Sequence, residues 1–282
     1  INTVLVFKLI NFFAEDKKTS LFITVLFSFF PSYINYSILT MREVFVITFL
    51  ILSTYSFLKI YFEDKFKYIF ILIVCFFALF VLHGGTLIGY FFLLFLIILK
   101  FISQFLNKIY NKKFNLMLVP LGLTLLFIIF APIIYVEYSI PYIRDISIDS
   151  ILSLNLVDTN VKIEYISQRS PDSSFPSFLI PNSNLEFFLL LIPRYIYFQF
   201  APLFMSITEY KYWIVIFIDS LPFMGLIIIV LKNSRTILKD KKLRIILFLF
   251  LLLSFTFTIG TFNIGQAIRH RVKFLIFLMI LI

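Results

Sequence analysis

The chain has 282 residues, of which 61% are hydrophobic and only 14% are charged, and its mean hydropathy is +1.02. A soluble domain would be about 45–50% apolar and about 25% charged, so this composition excludes an ordinary soluble globule, and its apolar richness excludes a disordered chain. Because a spanning helix needs about 20 residues, the sequence predicts an all-α, polytopic transmembrane helical bundle of about eight to nine spans with one long extracytoplasmic loop.

Continuous apolar runs predict the transmembrane helices, because they lack the period-2 alternation of outer-membrane barrel strands. In chain order the runs cover residues 1–13, 21–41, 44–62, 68–82, 86–106, 115–136, 213–231, 245–262 and 272–282. The chain begins with Ile1, and its last run is shorter than a span. We therefore expect the sequence to be a piece of a longer protein.

A further apolar stretch at 187–205 is predicted not to cross the membrane. It contains Arg194 together with Pro193 and Pro202; a charge at mid-bilayer is costly, and prolines remove helical hydrogen bonds. The sequence thus predicts four parts: N-terminal transmembrane helices in 1–136, an extracytoplasmic loop in 137–186, an interfacial non-spanning segment in 187–212 and C-terminal transmembrane helices in 213–282.

The charges of the connecting segments divide unevenly between the two predicted sides. If 187–205 does not cross, one side carries 15 cations and five acids whereas the other carries nine of each, so the whole net charge of +10 falls on one side. The positive-inside rule makes this side cytoplasmic and predicts a multi-pass membrane protein. Because these cations sit in short loops beside predicted spans, they indicate topology and not a nucleic-acid partner.

Charged and histidine side chains at the outer ends of the predicted spans are the candidates for binding substrate. They are Arg42, Glu43, His83, Arg194, Arg269, His270 and Arg271. A basic rim at the outer leaflet suits a lipid-linked phosphate or diphosphate, because arginine presents forked donors to phosphate oxygens. Structural explanations also exist: a helix-starting acid for Glu43, a tight turn for His83 and snorkelling for Arg194. Asp219, inside a predicted span, is either a site residue or part of a local helix break before Pro222.

Three segments of the sequence resemble segments of bacterial polytopic proteins from polysaccharide gene clusters. They are FPS at 30–32 with TMRE at 40–43, IPRYIYFQFAP at 192–202 and NIGQAIRHR at 263–271. The segments keep the same order as in those proteins, which are grouped with the GT-C superfamily of integral membrane glycosyltransferases. Gln266 stands where the resembling segment usually has threonine.

The resemblance implies transfer of a sugar or glycan from a polyprenyl-phosphate or diphosphate donor to a glycan or lipid acceptor. The transfer would take place on the outer face of a bacterial cytoplasmic (inner) membrane, in the synthesis of cell-surface polysaccharide or glycoconjugates. GT-C enzymes usually carry a catalytic acid in their first outer loop, which we expect upstream of this sequence, so no catalytic residue is named. No cofactor or metal ligand is assigned, although a divalent cation is compatible with a phosphate donor.

Two other functions also fit the sequence. An O-antigen polymerase or ligase likewise couples lipid-diphosphate glycans through outer-face arginine and histidine residues. A polysaccharide or lipid transporter or flippase without catalysis would instead line a central cavity with charges at mid-membrane depth. Most predicted spans of this chain are uncharged, and the candidate site residues lie at their outer ends, which favours an enzyme.

Overall fold

The computed structural model describes residues 1–14, 16–38, 42–110, 174–181, 184–202 and 210–282. Within these residues the chain is helical, and the only β-type pairing is an isolated antiparallel bridge between Ser174 and Asn263. In chain order the helices are α1 (Asn2–Ile10), α2 (Lys17–Ser28), α3 (Pro31–Ile38), α4 (Arg42–Glu63), α5 (Tyr68–Leu82), α6 (Leu87–Tyr110), α7 (Asn184–Phe200), α8 (Tyr210–Val215), α9 (Leu221–Lys232), α10 (Ser234–Lys239), α11 (Lys241–Gly260) and α12 (Ile264–Ile280). A 3-10 turn (Gly84–Thr86) leads into α6, and a π-helical turn (Ile216–Ser220) joins α8 to α9.

Four helical segments in the described part of the chain are long and apolar enough to cross a membrane, or five if the bent pair α2–α3 counts as one span. The four are Arg42–Glu63, Gly84–Ile109, Trp213–Lys232 and Lys241–Gly260. The predicted all-helical, membrane-type architecture is therefore confirmed for these residues. The predicted count of eight to nine spans is not confirmed.

The difference in span count has identifiable causes. The apolar run 21–41 bends by 59° between α2 and α3, where Pro31 begins the second helix. Helix α5 has only 15 residues. The run 272–282 is the second part of α12, which begins earlier than predicted. The predicted span 115–136 lies outside the described residues, as do residues 137–173 of the predicted loop.

Helix α12 is the centre of the bundle. It contacts α2, α3, α4, α7, α9 and α11, and every residue from 271 to 281 is buried. In a bilayer such burial stabilises through packing contacts, because the lipid tails are themselves apolar. The side chains of α12 therefore have their positions fixed by six neighbouring helices.

The segment predicted not to span contains helix α7. The helix continues through Pro193 and ends at Phe200, two residues before Pro202. With 17 residues it is not among the segments long and apolar enough to span. Its Arg194 is fully buried against other helices. The non-crossing arrangement of 187–212 in a membrane stays a prediction.

Charged residues are concentrated at two ends of the bundle. At one end the start of α4 meets α12, where Arg269 binds Glu43, and the end of α5 meets α12, where the rings of His83 and His270 lie 5.5 Å apart. We call this the Glu43 end. At the opposite end of α4, the end of α1 and the start of α11 come together around Lys59, Lys100, Lys241 and Lys242. We call this the lysine end.

Candidate functional site

The segment NIGQAIRHR forms the first turns of α12. Asn263 caps the helix, because its Oδ1 accepts hydrogen bonds from the backbone N–H groups of Gly265 at 2.8 Å and Gln266 at 3.4 Å. The sequence analysis placed Arg269, His270 and Arg271 in a loop before a span. The structure instead places them on a helix that starts at Ile264, eight residues before the predicted span, so helical geometry decides where each side chain points.

Glu43 is the centre of a cluster of cations. Its side chain is fully buried, and its Oε1 accepts a hydrogen bond from Arg269 Nε at 2.6 Å and lies 2.5 Å from Arg269 Nη2. Arg42 Nε lies 3.6 Å from the same oxygen, and Lys273 Nζ lies 4.0 Å from it. Arg269 and Lys273 are four residues apart, so they lie on the same face of α12. One buried carboxylate thus holds three cations from two helices.

The two histidines adjoin this cluster. His270 stacks on Phe257 with ring centroids 4.5 Å apart, and its Nδ1 lies 2.8 Å from Lys273 Nζ. His83 lies edge-on to His270 at 5.5 Å, and its Nδ1 is buried without a hydrogen-bond partner among the described residues. Burial, helped by the charges of Lys273, Arg42 and Arg269, lowers the pKa of His83 to about 3. His83 is therefore a neutral imidazole at physiological pH.

Arg271 points away from this cluster to a second polar contact. Residues two positions apart on a helix point in directions about 200° apart, and Arg271 accordingly meets α7 and the π-helical turn. Its Nη2 lies 3.0 Å from Asp219 Oδ2 and 3.3 Å from Ser220 Oγ, and its Nη1 donates to the carbonyl of Gln199 at 2.8 Å. The predicted helix break at Asp219 is a π-helical turn, which is often a functional or strained feature.

Arg194 binds the end of α11. Its Nη2 donates to the carbonyls of Thr258 at 3.2 Å, Ile259 at 3.2 Å and Thr261 at 3.1 Å, and its guanidinium lies 4.2 Å from the ring centroid of Phe262. The last carbonyls of a helix have no partner within the helix, so a guanidinium there stabilises the helix end. Arg194 is fully buried, which is unlike the snorkelling side chain considered from the sequence.

The structure therefore brings together five of the seven predicted site residues. The five are Arg42, Glu43, His83, Arg269 and His270. Arg194 and Arg271 lie outside this group and are bonded to protein carbonyls. Sequence reasoning left Lys273 out of the substrate-binding set, although its four-residue spacing from Arg269 would have placed it there once that segment was read as a helix.

The cluster is open to solvent through its arginines. The Arg42 side chain is 56% exposed and that of Arg269 is 32% exposed, whereas Glu43 and Lys273 are fully buried. Counted as formal charges, three cations surround one carboxylate, so an anion that approaches from this end meets an excess of positive charge. Among the described residues no group of three His, Cys, Asp or Glu side chains could hold a metal ion.

No protein-family description, curated protein or solved structure matches this chain.

Proposed function

We propose that this protein is a GT-C-type membrane glycosyltransferase that takes a sugar or glycan from a polyprenyl-phosphate-linked donor at the outer face of the membrane. The observation that carries the proposal is the Glu43 end. There, Arg42, Arg269 and Lys273 converge on one buried carboxylate, and both arginines remain partly exposed. Two of the three segments that resemble such enzymes supply Glu43 and both arginines.

Arg269 has the geometry of an oriented phosphate ligand. Its Nε donates to Glu43 Oε1 and its Nη2 lies against the same oxygen, so the two N–H groups of Nη1 face another acceptor when the donor binds. Because the carboxylate is buried and fixed on α4, it holds the guanidinium in one orientation before the donor arrives. A planar guanidinium oriented in advance loses less entropy when it binds two oxygens of a phosphate.

The excess positive charge would stabilise the leaving group. When the sugar is transferred, the bond between its anomeric carbon and the phosphate oxygen breaks, and negative charge grows on the polyprenyl phosphate. Fixed cations beside that phosphate stabilise the transition state more than the ground state, which is the usual main source of electrostatic catalysis. The acid or base that would take the proton of the acceptor hydroxyl is not assigned among these residues.

In this proposal Arg194 and Arg271 are structural and do not bind the donor. Arg271 is fully buried and bonded to Asp219, Ser220 and the Gln199 carbonyl. Reaching a phosphate at the Glu43 cluster would require it to leave these partners and turn across α12. Arg269 and Arg271, both candidates for binding substrate from the sequence, therefore have different roles in this proposal.

The test is binding of undecaprenyl phosphate to the purified chain in lipid nanodiscs, measured by native mass spectrometry, with undecaprenol as the uncharged control. We expect the phosphate to be preferred. Arg269→Gln should weaken binding by about ten- to a hundredfold, the value of one charge-assisted hydrogen bond. Arg269→Lys should weaken it less, because lysine keeps the charge but not the fork.

Arg235→Gln is the matched control, since Arg235 is an exposed arginine in α10, beyond the opposite end of the apolar segment Trp213–Lys232. Equal affinity for undecaprenol and undecaprenyl phosphate would overturn the proposal. An equal loss in Arg235→Gln and Arg269→Gln would overturn it as well, because binding would then reflect overall charge alone. Transfer of radiolabel from a polyprenyl-phosphate sugar, abolished in Arg269→Gln, would extend the result from binding to catalysis.

A further inference from the structure

Two aromatic rings at the lysine end each lie against two lysines. Lys59 Nζ is 5.2 Å and Lys242 Nζ is 4.8 Å from the ring centroid of Phe12. An ammonium within about 6 Å of a ring centroid is attracted by the ring quadrupole. Phe12 therefore holds one lysine from α4 and one from α11 close together, although the two carry the same charge.

Tyr61 repeats this arrangement. Lys100 Nζ is 5.5 Å and Lys241 Nζ is 4.8 Å from its ring centroid, and these lysines come from α6 and α11. Phe62 connects the two sets, with its ring 6.2 Å from that of Phe12 and 5.0 Å from that of Tyr61. The result is one continuous aromatic surface that carries lysines from three helices.

Of the two lysines on each of these rings, only one has a carboxylate partner. Lys59 binds Glu63 at 2.6 Å, and Lys100 binds Asp64 at 2.5 Å. Lys241 and Lys242 have no carboxylate within 4.0 Å among the described residues.

Asp240, the acid next to these two lysines in the sequence, forms no ion pair with either of them. Asp240 Oδ1 instead accepts the backbone N–H groups of Lys242 at 2.7 Å and Leu243 at 2.9 Å, so this carboxylate caps α11. A third lysine, Lys65, shares Glu63 at 2.6 Å. Counting Asp240, the surface carries five lysines and three carboxylates, an excess of positive charge that an anion would neutralise.

We propose that Lys241 and Lys242, on the aromatic surface of Phe12, Tyr61 and Phe62, bind the phosphate of an anionic phospholipid headgroup. The rings fix the position of each ammonium without accepting its N–H hydrogen bonds, so these donors remain for phosphate oxygens. Neutralising the two ammoniums also relieves their repulsion with Lys59 and Lys100. The inference does not depend on the enzymatic activity proposed above.

The location of the surface favours a lipid over a soluble phosphate compound. The apolar helix Arg42–Glu63 ends at this surface, and the apolar helix Lys241–Gly260 starts there. A phosphate bound between these two helix ends would lie at the boundary of the hydrocarbon layer, where headgroups reside. Lysines beside a membrane surface are attracted to anionic lipids, and the net charge of this side follows the positive-inside pattern.

The test is the retention of phosphatidylglycerol by the purified chain in detergent, measured by native mass spectrometry against phosphatidylcholine. We expect the wild type to prefer phosphatidylglycerol. Lys241→Gln with Lys242→Gln should weaken its retention by about ten- to thirtyfold. Lys241→Arg with Lys242→Arg should retain it, which separates lost charge from lost folding.

The matched control is Lys17→Gln with Lys18→Gln, an exposed adjacent lysine pair at the start of α2 for which no ring contact exists among the described residues. The control makes the same change in charge and should retain the lipid. An equal loss in both double variants would overturn the proposal. Equal stabilisation of the wild type by inorganic phosphate and by phosphatidylglycerol at one concentration would overturn the assignment to a lipid headgroup.

Discussion

The two ends of the bundle place their charges in opposite environments. The acids that α12 binds are inside the protein: Glu43, at the Glu43 end, is 0% exposed, and Asp219, the partner of Arg271, is 5% exposed. At the lysine end the acids are outside, since the side chains of Glu63 and Asp64 are 30% and 59% exposed. The lysines of this end lie against aromatic rings.

This difference separates a rigid polar site from an adaptable one. A buried carboxylate has lost its water, so it requires partners at fixed distances, and those partners are fixed in turn. An exposed carboxylate exchanges a lysine for water at little cost, so its geometry is loosely determined. We therefore expect catalysis or binding of an oriented donor at the Glu43 end. We expect recognition of a fluid lipid surface at the lysine end.

The largest effect is expected at the Arg271–Asp219 pair, where both side chains are buried. Asp219→Asn leaves the Arg271 guanidinium buried without a counter-ion, and we expect it to lower the free energy of unfolding by about 3–5 kcal/mol. Asp219→Leu combined with Arg271→Met should recover most of this loss, because two apolar side chains need no partner. Unfolding in detergent, followed by helical circular dichroism, measures both.

A loss below about 1 kcal/mol in Asp219→Asn would contradict the assignment of this pair as a buried structural contact, because a loss that small is typical of exposed ion pairs. The double variant also tests the division of roles on α12. If Arg271 has only a structural role, undecaprenyl phosphate should bind the folded double variant as tightly as it binds the wild type. A loss of binding without a loss of stability would indicate that Arg271 binds the donor.

A smaller effect is expected when the central acid of each end is neutralised. Glu43→Gln leaves Arg269 and Lys273 without a carboxylate, and we expect a loss of about 1–3 kcal/mol, because Arg269 is exposed enough to regain some water. Glu63→Gln, at the lysine end, should cost only about 0–1 kcal/mol. Thermal unfolding of both variants in the same detergent compares them directly, and equal losses would remove the distinction between the two ends.

The sequence predicts the helices well and their polar contacts poorly. Continuous apolar runs identify α4, α6, α11 and the segment 213–232, because each must present apolar side chains to its surroundings along its whole length. The bend before Pro31 is hidden inside one apolar run, since the same residues fit a straight helix as well as a bent one.

The contacts of the candidate site depend on pairs that are distant in the chain. Arg269 and Glu43 are separated by 226 residues, so no local spacing could join them. Charges in 269–273 suggested a loop, because spanning helices avoid unpaired charges. The helix contains them because Glu43 and Asp219 provide buried partners. Asn263 was the local sign of an earlier helix start, because asparagine is a preferred N-cap residue.

The smallest effect should be a dependence of stability on pH that comes from His83. Burial, with the charges of Lys273, Arg42 and Arg269, lowers its pKa to about 3, whereas in the unfolded chain the pKa is about 6.5. The unfolded state then binds a proton that the folded state does not, so His83 makes the protein less stable as the pH falls below about 6.5. Between about pH 7 and pH 6 this loss should be about 0.7 kcal/mol.

His83→Gln should remove this part of the pH dependence, and comparing its unfolding with that of the wild type at each pH cancels the contributions of all other groups. If the two proteins lose stability in parallel as the pH falls, then His83 is protonated in the folded protein, and the imidazole belongs to the solvent-exposed face of the Glu43 end beside Arg42.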